Sequence, residues 1–106
     1  MTRQYCFINF VVNTFAPVSD MYISGSTKNL GLWNASKAVQ LTSTDGYKFT
    51  IRKRFRIGES VEYKVLTRRD WSKVEKGMFG EEIANHRIVA DKGAVAEVTV
   101  YNWRRD

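Results

Sequence analysis

The residues able to do covalent or acid-base chemistry in this chain are few and widely separated. The single histidine, His86, lies in the polar run Asn85-His86-Arg87, and the single cysteine, Cys6, lies in the apolar run Tyr5 to Val12. A nucleophilic Cys/His pair would need Cys6 to leave an alternating core face, so the thiol reads as buried and structural. One His and one Cys far apart give no zinc spacing, and no aspartate cluster resembles a calcium loop, so no metal is expected. Glu75, Glu81 and Glu82 are close enough in sequence to raise the question of paired carboxylates for glycoside hydrolysis. Glu81 and Glu82 follow a glycine in a turn, however, where a carboxylate is solvated by default, and a general acid would need burial. Gly25, Gly31 and Gly46 sit in turns without the strand-to-helix context of a phosphate loop. This inventory predicts no catalysis and no cofactor.

Two tryptophans carry a different chemistry. Trp33 lies in Asn29-Leu30-Gly31-Leu32-Trp33-Asn34 and Trp71 in Arg69-Asp70-Trp71-Ser72-Lys73, both outside the alternating apolar pattern and both surrounded by polar residues. An indole held on a loop of a rigid scaffold suits the apolar face of a pyranose ring, while neighbouring amides and charges take the hydroxyls. The competing role is for each ring to fold back and cap the core. The net charge of +6 invites a polyanion instead. Its basic residues gather as Arg52, Lys53, Arg54 and Arg56, then Arg68 and Arg69, with Glu81 and Glu82 interrupting the later stretch, which reads as solvated strand surface. A basic β-barrel that stacks nucleic-acid bases is the alternative from another class, and a structural domain packed on a partner hydrolase is a third.

These loops need a scaffold, and apolar residues at every second position predict one made of strands. Cys6, Ile8, Phe10 and Val12 share one face of a first strand. Met21 to Gly25 follows after Pro17, and Ser26 to Lys37 reads as a connecting loop. Val39 to Leu41 is a brief strand, and the turn Thr44-Asp45-Gly46 opens a longer one through Phe55, with Arg52, Arg54 and Arg56 on its outer face. Val61, Tyr63 and Val65 alternate in a fifth strand, Thr67 to Glu82 is a polar hairpin region, and Arg87 to Ala90 and Ala96 to Tyr101 close the series. About seven short strands without interleaved helices predict an antiparallel β-sandwich or open barrel, formed as one domain over residues 1–106. No segment approaches a membrane span, and the N-terminus lacks the apolar stretch of a secretory signal. The chain as given therefore reads as cytoplasmic, although a domain excised from a secreted protein would read the same.

The segments Tyr22-Ile23-Ser24-Gly25-Ser26, Leu30-Gly31-Leu32-Trp33-Asn34, Gly46-Tyr47-Lys48-Phe49, Glu62-Tyr63-Lys64 and Asn102-Trp103-Arg104, in that order, resemble the signature of starch-binding domains of carbohydrate-binding module family 20. The likeness runs over essentially the whole chain. It implies an immunoglobulin-like β-sandwich and a non-catalytic module that binds α-glucan such as starch, glycogen or maltooligosaccharide, alone or beside a glycan-active enzyme domain. It carries Trp33 over as the stacking platform, Lys64 as a donor to sugar hydroxyls and Asn85 as the asparagine of the main site, with Glu75 beside them as a further polar contact. Lys76 stands where the family has its second tryptophan, and Trp71 is the ring available to replace it. Trp71 to Asn85 also resembles a variant of this fold found beside esterase and other hydrolase domains. At the family's second site Tyr47 replaces a tryptophan and Pro17 a tyrosine, leaving at most a weak contact.

Overall fold

The computed structural model describes residues 4–104, and the outermost residues of the expected 1–106 domain lie outside them. The alternation in the first strand is realised: β1 (Tyr5–Thr14) buries Cys6, Ile8, Phe10 and Val12 and turns Tyr5, Phe7 and Asn9 outward. It pairs antiparallel with β4 (Lys48–Arg56), with Tyr5 opposite Arg56 and Asn13 opposite Lys48. Its other edge takes β8 (Val95–Val100) in parallel, Asn9 opposite Val95 and Thr14 opposite Val100. This pair departs from the all-antiparallel expectation: strands from the two ends of the chain run in the same direction side by side.

The facing sheet has the order β3-β2-β5-β7, built from β2 (Tyr22–Gly25), β3 (Val39–Gln40), β5 (Ser60–Leu66) and β7 (His86–Val89). Two further short strands, β6 (Glu75–Lys76) and β9 (Asn102–Trp103), pair with each other. Phe10 links the layers, meeting Phe55 edge-on at 5.9 Å and Tyr63 at 5.1 Å. Burying these side chains between two sheets is the main favourable term in the fold, roughly 1.5–3 kcal/mol for each large apolar residue.

The three arginines of the basic cluster, Arg52, Arg54 and Arg56, occupy the outer face of β4, as its alternation requires. Arg52 lies 4.2 Å over the Phe7 ring, and Arg54 and Arg56 lie 4.9 and 5.8 Å over that of Tyr5. These guanidinium groups cover aromatic surface on the neighbouring strand. Asp45 shapes the turn into β4 by accepting the N–H groups of Tyr47 and Lys48 at 2.9 and 3.0 Å, and these bonds hold its carboxyl below the usual aspartate range. Among the described residues, no helix is long and apolar enough to cross a membrane.

Candidate functional site

The loop that carries Trp33 is made by two glycines of the motif. Gly25, the last residue of β2, lies so close to β5 that a side chain there would stand 2.5 Å from the Glu62 carbonyl. Gly31 ends a 3-10 turn over Lys28–Leu30 with φ +86°, against the Lys37 carbonyl. Leu32 and Trp33 then continue in the left-handed region at φ +50° and +64°, a conformation that costs a side-chain-bearing residue free energy. Hydrogen bonds hold them there, from Leu32 N–H to the Thr27 carbonyl at 3.1 Å and from Trp33 N–H to the Gly25 carbonyl at 2.9 Å. Asn34 caps the next turn, Ala35–Lys37, by accepting the Ser36 N–H at 3.1 Å. Leu30 is buried beneath, so the strained backbone is anchored in the core while the indole remains partly exposed.

Trp71 is brought to it from 38 residues away. Its indole Nε1–H donates to the Trp33 carbonyl at 3.2 Å, and the two ring centroids lie 6.2 Å apart with planes tilted by 39°. Arg69 braces the approach by stacking on Tyr22 at 4.7 Å and donating Nε–H to the Ala38 carbonyl at 3.0 Å. Asp70 caps the 3-10 turn Trp71–Lys73 through the Ser72 N–H at 2.9 Å. Bonds from Ser72 hold the Asp70 carboxyl below the ordinary aspartate value of 3.8. A carboxyl lowered in the folded state stabilises at pH above its unfolded value, and that contribution disappears as pH falls through the folded one. Acidification below pH 3.8 should therefore alter tryptophan emission as the Trp71 turn loosens. Asp70→Asn, which keeps an acceptor oxygen but cannot titrate, should lack that step. An identical acid step in both proteins would show that Asp70 does not control the ring.

The remaining expected site residues divide. Lys64, half-buried on β5, donates from Nζ to the Ile83 carbonyl, which leaves its other two N–H groups available. Asn85 is exposed and gives one amide hydrogen to Glu62 Oε1 at 3.2 Å. The Lys76 ammonium forms an ion pair with Glu82, and the two side chains are 11% and 78% exposed. That bond and charge hold the Glu82 carboxyl low. Where the resemblance points to a ring at position 76, there is instead a lysine engaged with its own loop. Tyr47 lies elsewhere, exposed at the start of β4 on the other sheet, its carbonyl accepting the Thr14 N–H at 2.9 Å.

Glu75 is a correction. It is 1% exposed, and its carboxylate faces inward, accepting the Val65 N–H at 2.7 Å and contacting His86 Nε2 at 2.8 Å through both oxygens. A carboxylate filled in this way has no face for a saccharide, and its role is to hold β6 to β5 and β7. The network extends to Tyr63, whose ring lies 5.2 Å from the imidazole. Burial, and secondarily the Glu75 charge, pushes the Tyr63 phenol far above its usual range. Sequence reasoning set His86 aside, and nothing in its polar neighbourhood signals this contact.

A surface depression of about 360 Å³ lies between Val18, Asp20, Thr67, Arg68, Lys73 and Trp103, where Arg68 and Asp20 are 3.7 Å apart. It includes neither tryptophan of the pair. A ring that stacks on a flat ligand needs an accessible face and no deep cavity.

The architecture is a two-sheet β-sandwich with a small additional strand pair, and its two indoles meet on loops beside the four-stranded sheet. The profile of the starch-binding domain family matches residues 5–99, and the chain belongs to that family. Amylopullulanases from Thermoanaerobacter thermohydrosulfuricus and Thermoanaerobacterium thermosulfurigenes are 33% and 32% identical over 91% of the chain. The chain spans only 7% and 5% of their lengths. In structure it is similar to the family 20 carbohydrate-binding module of a maltotetraose-forming amylase from Pseudomonas saccharophila, with a TM-score of 0.66 and 24% identity over 88% of this chain and 98% of that one. It is also similar to a glycoside hydrolase family 15 glucoamylase from Hypocrea jecorina, with a TM-score of 0.69 and 20% identity over 99% of this chain and 18% of that one. At these identities the structural likenesses speak to the fold.

Proposed function

We propose that this chain is a non-catalytic module that binds α-glucan by stacking sugar rings on Trp33 and Trp71, with Lys64 and Asn85 donating to hydroxyls at the edge of the platform. The observation that carries this reading is the meeting of the two indoles, 6.2 Å apart and linked by a hydrogen bond. Their 39° tilt makes a bent surface. Such a surface suits the curvature of an α-1,4-linked chain better than the flat ribbon of a β-1,4-linked one. Family membership and the amylopullulanase relatives support the same ligand class.

The contact area is small, so a single site should have a Kd of roughly micromolar to millimolar. Retention on a polymer would then depend on repeated sites or on tethering to an enzyme domain, in keeping with the small fraction of each relative that the chain spans. A neutral ligand separates this reading from polyanion binding through salt. Retardation in a native gel containing amylopectin should persist as salt is raised and be relieved by free maltoheptaose, with cellohexaose a poor competitor. No retardation by amylopectin, with salt-sensitive retardation by single-stranded DNA in its place, would favour a polyanion instead.

A further inference from the structure

The turn that follows β6 has a feature the two-tryptophan platform does not use. Phe79 at its tip is 89% exposed, and Met78 beside it is exposed as well. The turn is nonetheless closed by hydrogen bonds. Gly77 N–H donates to the Glu81 carbonyl at 2.9 Å, Gly80 N–H to the Gly77 carbonyl at 2.9 Å, and Phe79 N–H to Glu81 Oε1 at 2.9 Å. The Glu81 carboxylate thus fills the inside of the turn against Gly77, which leaves the outside for the side chains of Met78 and Phe79. An ion pair between Lys76 and Glu82 ties the base.

Both limbs of this turn leave from elements next to the tryptophan pair: Val74 alone separates β6 from the Trp71–Lys73 turn, and Lys64 on β5 lies opposite Ser24, beside the Gly25 whose carbonyl accepts the Trp33 N–H. One starts at Lys76, and the other returns through Ile83, whose carbonyl accepts the Lys64 ammonium. Phe79 lies three residues along the chain from Lys76, a reach of at most about 10 Å. A large apolar ring and a neighbouring methionine held in water side by side on a braced turn offer an apolar contact surface without disturbing the turn's own hydrogen bonds.

We infer that Phe79 is an additional stacking surface for α-glucan, engaging sugar units beyond those that cover Trp33 and Trp71. It selects for longer chains: a short oligosaccharide fills the indole platform alone, whereas a longer one continues across the Lys64 flank and meets the phenyl ring. This inference rests on the glucan-binding reading above. Because the ring is exposed and its backbone bonds do not depend on it, Phe79→Ala should fold like the parent, with thermal unfolding as the check.

The test is calorimetric titration of the parent, Phe79→Ala and Phe79→Tyr with maltotriose and with maltoheptaose. Phe79→Ala should weaken maltoheptaose binding roughly fivefold, about what one aromatic contact contributes, and leave maltotriose binding unchanged. Phe79→Tyr should retain the parent affinity for both. If the parent binds maltoheptaose and Phe79→Ala binds it equally well, the inference fails while the tryptophan platform stands. Equal weakening for both ligands would also overturn it, because the ring would then act on the whole site and not on chain length. A parent that binds neither ligand would defeat the inference together with the function on which it rests.

Discussion

Trp33→Ala is expected to weaken maltoheptaose binding by about 30-fold or more, the loss typical when a central aromatic anchor is truncated. The fold should survive. The residue sits at φ +64°, and alanine meets the same left-handed penalty as tryptophan, so the substitution adds no new backbone strain. The Trp33 carbonyl that accepts the Trp71 indole N–H belongs to the main chain and is retained. What disappears is the ring itself, half of a surface whose members stand 6.2 Å apart. Trp33→Phe keeps part of that surface and should fall between parent and alanine. Calorimetry with parallel thermal melts measures both quantities, and full affinity in a folded Trp33→Ala protein would mean that the platform is elsewhere.

Glu75→Ala should leave the rings in place and strike at stability. It removes a carboxylate that is 1% exposed and leaves the Val65 N–H and the His86 ring nitrogen without their acceptor. Breaking a buried pair by deleting one member costs about 3 kcal/mol or more. For a domain of this size that corresponds to a fall in Tm of roughly 10–20 °C. Glu75→Gln retains an oxygen that can accept one of the two hydrogen bonds and should lose less. In a Glu75→Ala/His86→Ala double variant the loss should be smaller than the sum of the two single losses, since each single deletion strands the other member of the pair. Strict additivity in the melts would show that the 2.8 Å contact contributes nothing to stability.

The strands were legible wherever one face is buried and the other solvated. In β1 and β5 the period of two separates Cys6, Ile8, Phe10, Val12, Val61, Tyr63 and Val65 from their outward neighbours. β6 and β9, at two residues each, are too short for a period to register, and the parallel pairing of β1 with β8 depends on contacts between the two ends of the chain. Of the site, the residues place each tryptophan in a polar loop and the resemblance offers Trp71 as the second ring, but the geometry of their meeting has no local signature. That meeting depends on the Arg69 stack on Tyr22, the Asp70 cap and a backbone carbonyl, none of which has a local sequence pattern. Glu75 was misread for a related reason: it lies in a polar stretch between Lys73 and Lys76, while its burial comes from His86 and Val65 on other strands. Phe79 was passed over because the bonds from Glu81 that turn it outward are made by a carboxylate read only as solvated charge.

The central claim is that the Trp33 and Trp71 indoles form the glucan surface. It is tested most directly by following the three indole N–H resonances of Trp33, Trp71 and Trp103 during titration with maltoheptaose. The account predicts saturable shifts at Trp33 and Trp71, while Trp103, packed against the core, stays nearly still. Shifts confined to Trp103, or none up to saturating sugar, would contradict it.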